Sequence, residues 1–262
     1  MLVRPKKSLG QNFLHDKNVL DKIIRVSEIT SDDEVLEIGP GTGNLTLEIL
    51  KKKPKKLILI EKDNILADQL IKKFKDNVKV INKDVLNIDE SILYNQSLIV
   101  FGNLPYNIST KILISFIKIH NLKNKFKKFI FVFQKEVADR ILSEENNKDY
   151  GRLSILTSWK MEKQKEIDIN PTFFYPKPKV WSTLITLTPK LEIENINKVK
   201  HLEHITNIFF NQRRKMIKKP MKELFKDFEN VAKILKIDLS LRPQNLSLNK
   251  YLEICKMYED LS

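Results

Sequence analysis

Cysteine occurs once in the 262 residues, at Cys255. A single thiol supports neither a disulfide framework nor a cysteine-rich zinc site, and it fits a reducing compartment such as the cytoplasm. Long uncharged apolar runs are missing as well, so no segment reads as membrane-spanning. The basic start over residues 1–10 lacks the apolar stretch of a signal peptide. No internal repeat and no low-complexity tract is present. His201 and His204 can share a helix face, but no cysteine or acidic ligand set accompanies them; they read as surface histidines, and no metal is expected. Acidic residues are in deficit, 33 against 47 Lys plus Arg, giving a net charge of +14 and a pI near 9.6. That imbalance suits a polyanionic partner, nucleic acid first. A general bias toward Lys, Ile and Asn, or an anionic membrane surface, accounts for the charge equally well. The expectation is a soluble, cytoplasmic monomer.

What is present is enough apolar material, 42% of residues, for one large domain and a smaller one. Short apolar runs alternate with amphipathic stretches: Val35-Leu-Glu-Ile38, Leu57-Ile-Leu-Ile60, Val78-Lys-Val-Ile81, Leu98-Ile-Val-Phe101 and Phe129-Ile-Phe-Val-Phe133. This alternation predicts an α/β fold with a parallel, Rossmann-like sheet. Two further strand-like stretches, near 153–159 and 183–188, are expected to form an antiparallel edge. They are joined by the proline-rich Pro171-Thr-Phe-Phe-Tyr-Pro-Lys-Pro-Lys179, which cannot lie in a central strand. After Pro189 the strand pattern stops, and from about Ile196 apolar residues recur at helical spacing. The predicted division is 1–189 for the α/β domain and 190–262 for a small helical domain.

The first strand runs into Glu37-Ile-Gly-Pro-Gly-Thr-Gly43. Glycines at that place let backbone approach a ligand at the carboxyl edge of the sheet. A dinucleotide fingerprint needs its third glycine where Asn44 stands; Gly39, Gly41 and Gly43 instead resemble the loop that holds S-adenosyl-L-methionine. Glu61 ends the second strand, where a carboxylate can accept both ribose hydroxyls. Asp84 follows the third and can accept from an adenine amine. Each acid alone reads as an exposed strand end; together with the glycines they read as a nucleoside pocket.

The fourth strand ends in Gly102-Asn-Leu-Pro-Tyr106. The Asn103 side-chain oxygen and the Leu104 carbonyl can accept the two N–H groups of an adenine amine. They thereby favour a pyramidal nitrogen whose lone pair meets a sulfonium methyl. Pro105 stiffens the turn, and Tyr106 offers a ring on which an extruded base can stack. In isolation a turn with Asn103 as cap and Tyr106 in the core is an equal alternative; one strand beyond a cofactor pocket, the tetrapeptide points to amine methylation.

Lys7-Ser-Leu-Gly-Gln-Asn-Phe-Leu14, the glycine loop, Asn-Leu-Pro-Tyr106, Phe133-Gln-Lys-Glu-Val-Ala-Asp-Arg140, Tyr150-Gly-Arg-Leu-Ser154, Phe174-Tyr-Pro-Lys-Pro-Lys-Val180 and Phe210-Asn-Gln-Arg-Arg-Lys215 follow one another in order. In this the chain resembles the ribosomal RNA adenine dimethyltransferases, in particular their bacterial small-subunit branch. The resemblance implies a class I S-adenosylmethionine methyltransferase sheet that dimethylates adjacent adenosines of 16S rRNA within a small-subunit assembly intermediate. It also implies that Asn12 and Leu14 contact the cofactor beside Gly39, Gly41, Glu61, Asp84 and Asn103, and that Phe174 is a second stacking ring opposite Tyr106. Trp181 departs from the pattern, where the family usually has an acid. A macrolide-resistance 23S rRNA dimethyltransferase and a non-catalytic ribosome-assembly factor are the rival readings; Phe210-Asn-Gln-Arg-Arg214 favours the small-subunit branch. The run Arg213, Arg214, Lys215, Lys218 and Lys219 is either a solvated helix face or, in an RNA-handling protein, a set of phosphate contacts.

Overall fold

The computed structural model describes residues 5–88, 97–193, 196 and 198–261; the first four residues of the basic start lie outside these. In chain order the elements are β1 (Phe13–Leu14), α1 (Lys17–Ser27), β2 (Glu34–Ile38), α2 (Asn44–Leu50), β3 (Lys56–Ile60), α3 (Asn64–Phe74), β4 (Lys79–Ile81) and β5 (Leu98–Asn103). Then come α4 (Ser109–Lys118), α5 (Leu122–Lys125), β6 (Phe126–Gln134), α6 (Lys135–Leu142), α7 (Arg152–Lys160), β7 (Met161–Ile169), β8 (Phe174–Tyr175) and β9 (Ser182–Pro189). Four helices follow: α8 (Val199–Asn211), α9 (Lys218–Leu224), α10 (Phe228–Ile234) and α11 (Leu248–Leu261).

The main sheet has seven strands in the order β4-β3-β2-β5-β6-β9-β7. Pairings β4/β3, β3/β2, β2/β5 and β5/β6 are parallel, and β9 lies antiparallel to β6. The inner strands are mostly apolar, Glu37 of β2 apart, because helices cover both faces of a parallel sheet: Val35, Leu36, Leu59, Ile99, Val100, Phe101 and Phe131 are all buried. Chain order reverses at β2, with β3 on one side and β5 on the other, so a crevice opens between their carboxyl ends. In open α/β sheets that is where ligands bind. One face of β6 is built of aromatic contacts, with Phe129 meeting Phe116, Phe126 and Phe131 at centroid distances of 5.1, 5.0 and 5.6 Å.

The chain divides into two compact units, Met1–Ala138 with Glu162–Pro189, and Asp139–Met161 with Lys190–Ser262. The second therefore takes in a segment that a single cut at 189/190 leaves in the first domain. Within it α8 packs on α7, α9 and α11, with Phe209 and Phe210 against Tyr251 at 5.4 and 5.9 Å. His201 is half-buried, its Nδ1 3.1 Å from the Glu259 carboxylate, so it is not a surface histidine.

The strand expected near 153–159 is helix α7. Ser154 bonds the Gly151 N–H at 3.0 Å and the Arg140 carbonyl at 2.6 Å, which starts a helix there. Ile155, Leu156, Thr157 and Trp159 are all buried, so no polar face marks the helical period. The other strand at this edge is β7, Met-Glu-Lys-Gln-Lys-Glu-Ile-Asp-Ile, rich in charge as edge strands often are; Glu162, Lys165 and Asp168 are exposed, while Glu166 is largely buried and accepts the Thr186 hydroxyl at 3.0 Å.

Glu37, inside β2, is 2% exposed, and its carboxyl accepts the Thr46 hydroxyl at 2.6 Å, tying β2 to α2. Burial, helped by the Glu61 carboxylate and opposed by the Thr46 bond, pushes its pKa up to about 8 from the ordinary 4.5. Across that interval the unfolded chain gives up a proton that the folded chain keeps. Stability should therefore fall as pH rises from about 4.5 to about 8 and show no further contribution from this group above or below. Glu37→Gln keeps an acceptor for Thr46 and cannot ionise, so urea midpoints taken across that window should decline less steeply than those of the native protein. An unchanged slope refutes the assignment.

Candidate active site

The glycine loop, the ends of β3 and β5, the segment after β4 and residues 8–14 enclose one cleft. Gly39 has φ +65°, donates its N–H to Ile60 O at 2.9 Å, and has nothing within 4 Å of where a Cβ would stand; its backbone is open to the cleft. Gly41 is constrained differently. Its φ is +58°, and a Cβ would lie 2.7 Å from the Phe13 ring, so only glycine lets residues 8–14 close against the loop.

Glu61 stands immediately after β3, 6% exposed. Its Oε2 accepts the Gly41 N–H at 3.2 Å and its Oε1 the Asp63 N–H at 2.9 Å, so the carboxylate is locked against the glycine loop. Each oxygen keeps a second lone pair for a ligand. Burial raises its pKa despite these bonds, and the Asp63 charge adds to the rise. Asp84 caps the short turn after β4 through Oδ1, which accepts Leu86 N–H at 3.0 Å, while Oδ2 meets Lys62 Nζ at 2.9 Å. The Lys62 contact lowers the Asp84 pKa and keeps it ionised.

Three amide side chains hold residues 8–14 in place. Asn103 Nδ2 donates to Asn12 O at 2.7 Å, Asn12 Nδ2 to Gly10 O at 3.2 Å, and Asn44 Nδ2 to Leu14 O at 2.8 Å. Asn44, at the position where a dinucleotide motif carries glycine, thus uses its side chain to seat this segment. Asp63 secures the other end: it caps α3 through Oδ1, and its Oδ2 takes Lys6 Nζ at 2.8 Å and Gln11 Nε2 at 3.2 Å. Neither Asn44 nor Asp63 was expected as a site residue. An Asp preceding a helical run is legible as a cap, but a bond spanning 52 positions leaves no sequence signal.

Because the Asn103 nitrogen is committed to Asn12, the amide oxygen is the end left for a ligand. Leu104 is buried behind it and lines the cleft together with Pro105 and Tyr106. The Tyr106 hydroxyl is 2.6 Å from Ser182 Oγ at the start of β9, which fixes the ring; Ser182 is a further supporting residue that the sequence did not single out. Phe174 corrects the expectation of a second stacking ring. It is 2% exposed, packs in the core with Leu14, and does not line the cleft. β8 pairs with β1, Leu14 facing Phe174 in register, and alternation along the strand turns Tyr175 outward instead.

In the second unit the basic run is not uniform. Arg213 Nε donates to Gln244 Oε1 at 3.3 Å, and its Nη2 is buried with no hydrogen-bond partner among the described residues. Arg214, Lys215, Lys218 and Lys219 are exposed, and of these Lys218 lies 3.8 Å from Glu229 and over the Phe228 ring.

The model of the family described as ribosomal RNA adenine dimethylase matches residues 3–260. A protein of Pelagibacter ubique named ribosomal RNA small subunit methyltransferase A is 54% identical over 261 residues, covering 100% of this chain and 99% of its own. Its namesake in Ehrlichia ruminantium is 42% identical over 260 residues, covering 97% of each chain. Among solved structures, a dimethyladenosine transferase from Plasmodium falciparum matches with a TM-score of 0.79 at 27% identity, over 95% of this chain and 98% of that one. The 23S rRNA methyltransferase ErmE shares the fold, with a TM-score of 0.70 at 22% identity over 94% and 99%. Carried by a match across nearly all of its length, the chain belongs to the ribosomal RNA adenine dimethylase family.

Proposed function

We propose that this chain transfers methyl groups from S-adenosyl-L-methionine to the N6 amines of adjacent adenosines in a 3'-terminal hairpin of 16S rRNA, acting on a small-subunit assembly intermediate. The observation that carries the reading is the Asn103 amide, pinned through its nitrogen so that its oxygen is offered to the cleft. The small-subunit names of the relatives at 54% and 42% identity support this target over 23S rRNA. A purely structural assembly factor has no need of the paired acceptors that are intact here.

The lining fits the cofactor. Glu61 and Asp84 are acceptors suited to ribose hydroxyls and an adenine amine, and the open backbone at Gly39 leaves room for a ligand to lie against it. Asn12, Leu14, Gly41 and Asn103 complete the lining. S-adenosyl-L-methionine supplies an electrophilic methyl on a sulfonium sulfur when bound. The Asn103 oxygen and the Leu104 carbonyl accept the two N–H groups of the target amine, drawing its lone pair out of conjugation with the ring. Tyr106, braced by Ser182, gives the extruded base a face to stack on. Accepting at the amine edge and stacking on the ring face leaves the amine able to take a second methyl.

Replacing Glu61 by Ala would orphan both the Gly41 and Asp63 N–H groups, whereas Gln keeps an acceptor for one of them and cannot ionise, so Glu61→Gln is the more informative change. It should weaken cofactor binding by about 1.5–3 kcal/mol, the range for losing a hydrogen bond to a charged group. Because burial holds the Glu61 pKa up, native affinity should rise with pH as this group ionises, and the Gln variant should lose that rise. Calorimetric titrations at several pH values check both; native and variant curves of equal height and slope refute the role.

Asn103→Ala should lower the rate of methyl transfer roughly a hundredfold or more, by analogy with removal of one transition-state hydrogen-bonding group. Cofactor affinity should suffer less. Single-turnover transfer to RNA at saturating cofactor measures it, and a native rate in the variant overturns the acceptor role.

Arg214, Lys215 and Lys219, with Lys218 and the pinned Arg213, are assigned to phosphate contacts that position RNA without reading bases. Neutralising all five should weaken RNA binding and flatten its dependence on salt, leaving cofactor affinity unchanged. RNA affinity across a salt series decides between this and a merely solvated face, for which the two lines coincide.

A further inference from the structure

Two large rings face solvent at the end of β8 and on the loop that follows it: Tyr175 is 63% exposed and Trp181 47%, with Val180 beside Trp181 at 44%. The only other tryptophan, Trp159, is 5% exposed. A ring left in water is unremarkable singly, but a cluster marks a contact surface. Lys177 and Lys179 stand exposed between the two rings. The loop is also held in place. Phe174 at its start is in the core, Pro178 is buried, and the Trp181 carbonyl accepts the Lys135 N–H at 2.9 Å. The next residue, Ser182, is the one whose hydroxyl meets the Tyr106 hydroxyl at 2.6 Å. Trp181 is thus one residue and one hydrogen bond away from the ring assigned to the target base.

We infer that Trp181, assisted by Tyr175, stacks on unpaired nucleobases flanking the target adenosine, so that this loop grips single-stranded RNA beside the methylation site. The inference rests on the reading of the chain as an RNA adenine methyltransferase. Aromatic faces interleaved with lysines are what a single strand requires, because every base has a π-face and each nucleotide brings a phosphate. A chain of net charge +14 adds long-range attraction for that partner. Nucleotides next to an adenine seated on Tyr106 follow it into the neighbourhood of Ser182. Trp181 is anchored through its own carbonyl and is followed by Ser182, paired with Gln134 in the sheet, so less backbone entropy is lost when a base lands on its ring.

The probe is a protein-free RNA oligonucleotide carrying the adjacent adenosines in an unpaired loop. Its addition should quench the fluorescence of the native protein, and Trp181→Phe should abolish the quench, since Trp159 is shielded. Trp181→Ala should raise the KM for RNA by roughly 5- to 150-fold, the equivalent of one lost base stack. Its kcat and cofactor affinity should stay native. Trp181→Phe should recover most of the RNA affinity, and Tyr175→Ala should weaken it further when combined with Trp181→Ala. The inference is overturned if Trp181→Ala binds the oligonucleotide as tightly as the native chain. It is equally overturned if quenching requires ribosomal protein or anionic vesicles and does not occur with RNA alone. A native protein that binds through Trp181 but methylates nothing would instead defeat the enzymatic reading and leave the stacking intact.

Discussion

The hydrogen bond from the Asn103 side chain to the Asn12 carbonyl, 2.7 Å long, joins the end of a central strand to a segment with almost no secondary structure of its own. Its net worth is about 0.5–1.5 kcal/mol, but its consequence is directional. It seats residues 8–14 over the strand ends, where Phe13 closes on Gly41. It also fixes which end of the amide is nitrogen, leaving the oxygen as the acceptor. The same contact therefore builds a wall of the cleft and, in the proposed reaction, orients the group that meets the target amine. Asn44 and Asp63 act on the same segment from the N-termini of α2 and α3, so its position is determined at several points along its length.

Buried acid is the second constraint. Glu37 and Glu61 lie in a strongly basic chain, yet burial raises both pKa values and each carboxyl is partly satisfied by local donors. A cleft of this kind offers acceptors to hydroxyl and amine donors. Such acceptors suit a nucleoside, which needs no cradle of backbone N–H groups for pyrophosphate at the glycine loop.

Strands β2, β3, β5 and β6 were legible because burial on both faces erases polar positions, and helices between them fix the parallel connection. The same total burial hid α7, whose helical period has no polar side to display, while exposure hid β7, whose charges interrupt any apolar run. Gly39, Gly41, Glu61, Asp84 and Asn103 were legible since each follows a recognisable strand end. Phe174 was not, and the reason is local: Phe174 and Tyr175 are adjacent rings in a two-residue strand, and alternation sends one inward and one outward. Which is which depends on pairing with β1, a contact between segments roughly 160 positions apart that nothing near either residue announces.

That inversion bears on how RNA meets the catalytic unit. Glu61 and Asp84 offer acceptors in the cleft, with Lys62 pairing Asp84, so the lining suits the donors of a neutral base. Lysines and exposed rings occupy the loop that ends at Ser182, where a backbone and its neighbouring bases are welcome. In the proposed reaction the target leaves the stack and enters base-first, with its phosphates toward the lysines of that loop. Extrusion costs a few kcal/mol, least where the nucleotide is already unpaired, so a loop adenosine is favoured over one in a duplex before any base edge is read. In the proposed reaction an unpaired adenosine is favoured for this reason, and the acceptors at Asn103 and Leu104 then select a base that presents an amine over one that presents only carbonyl oxygens.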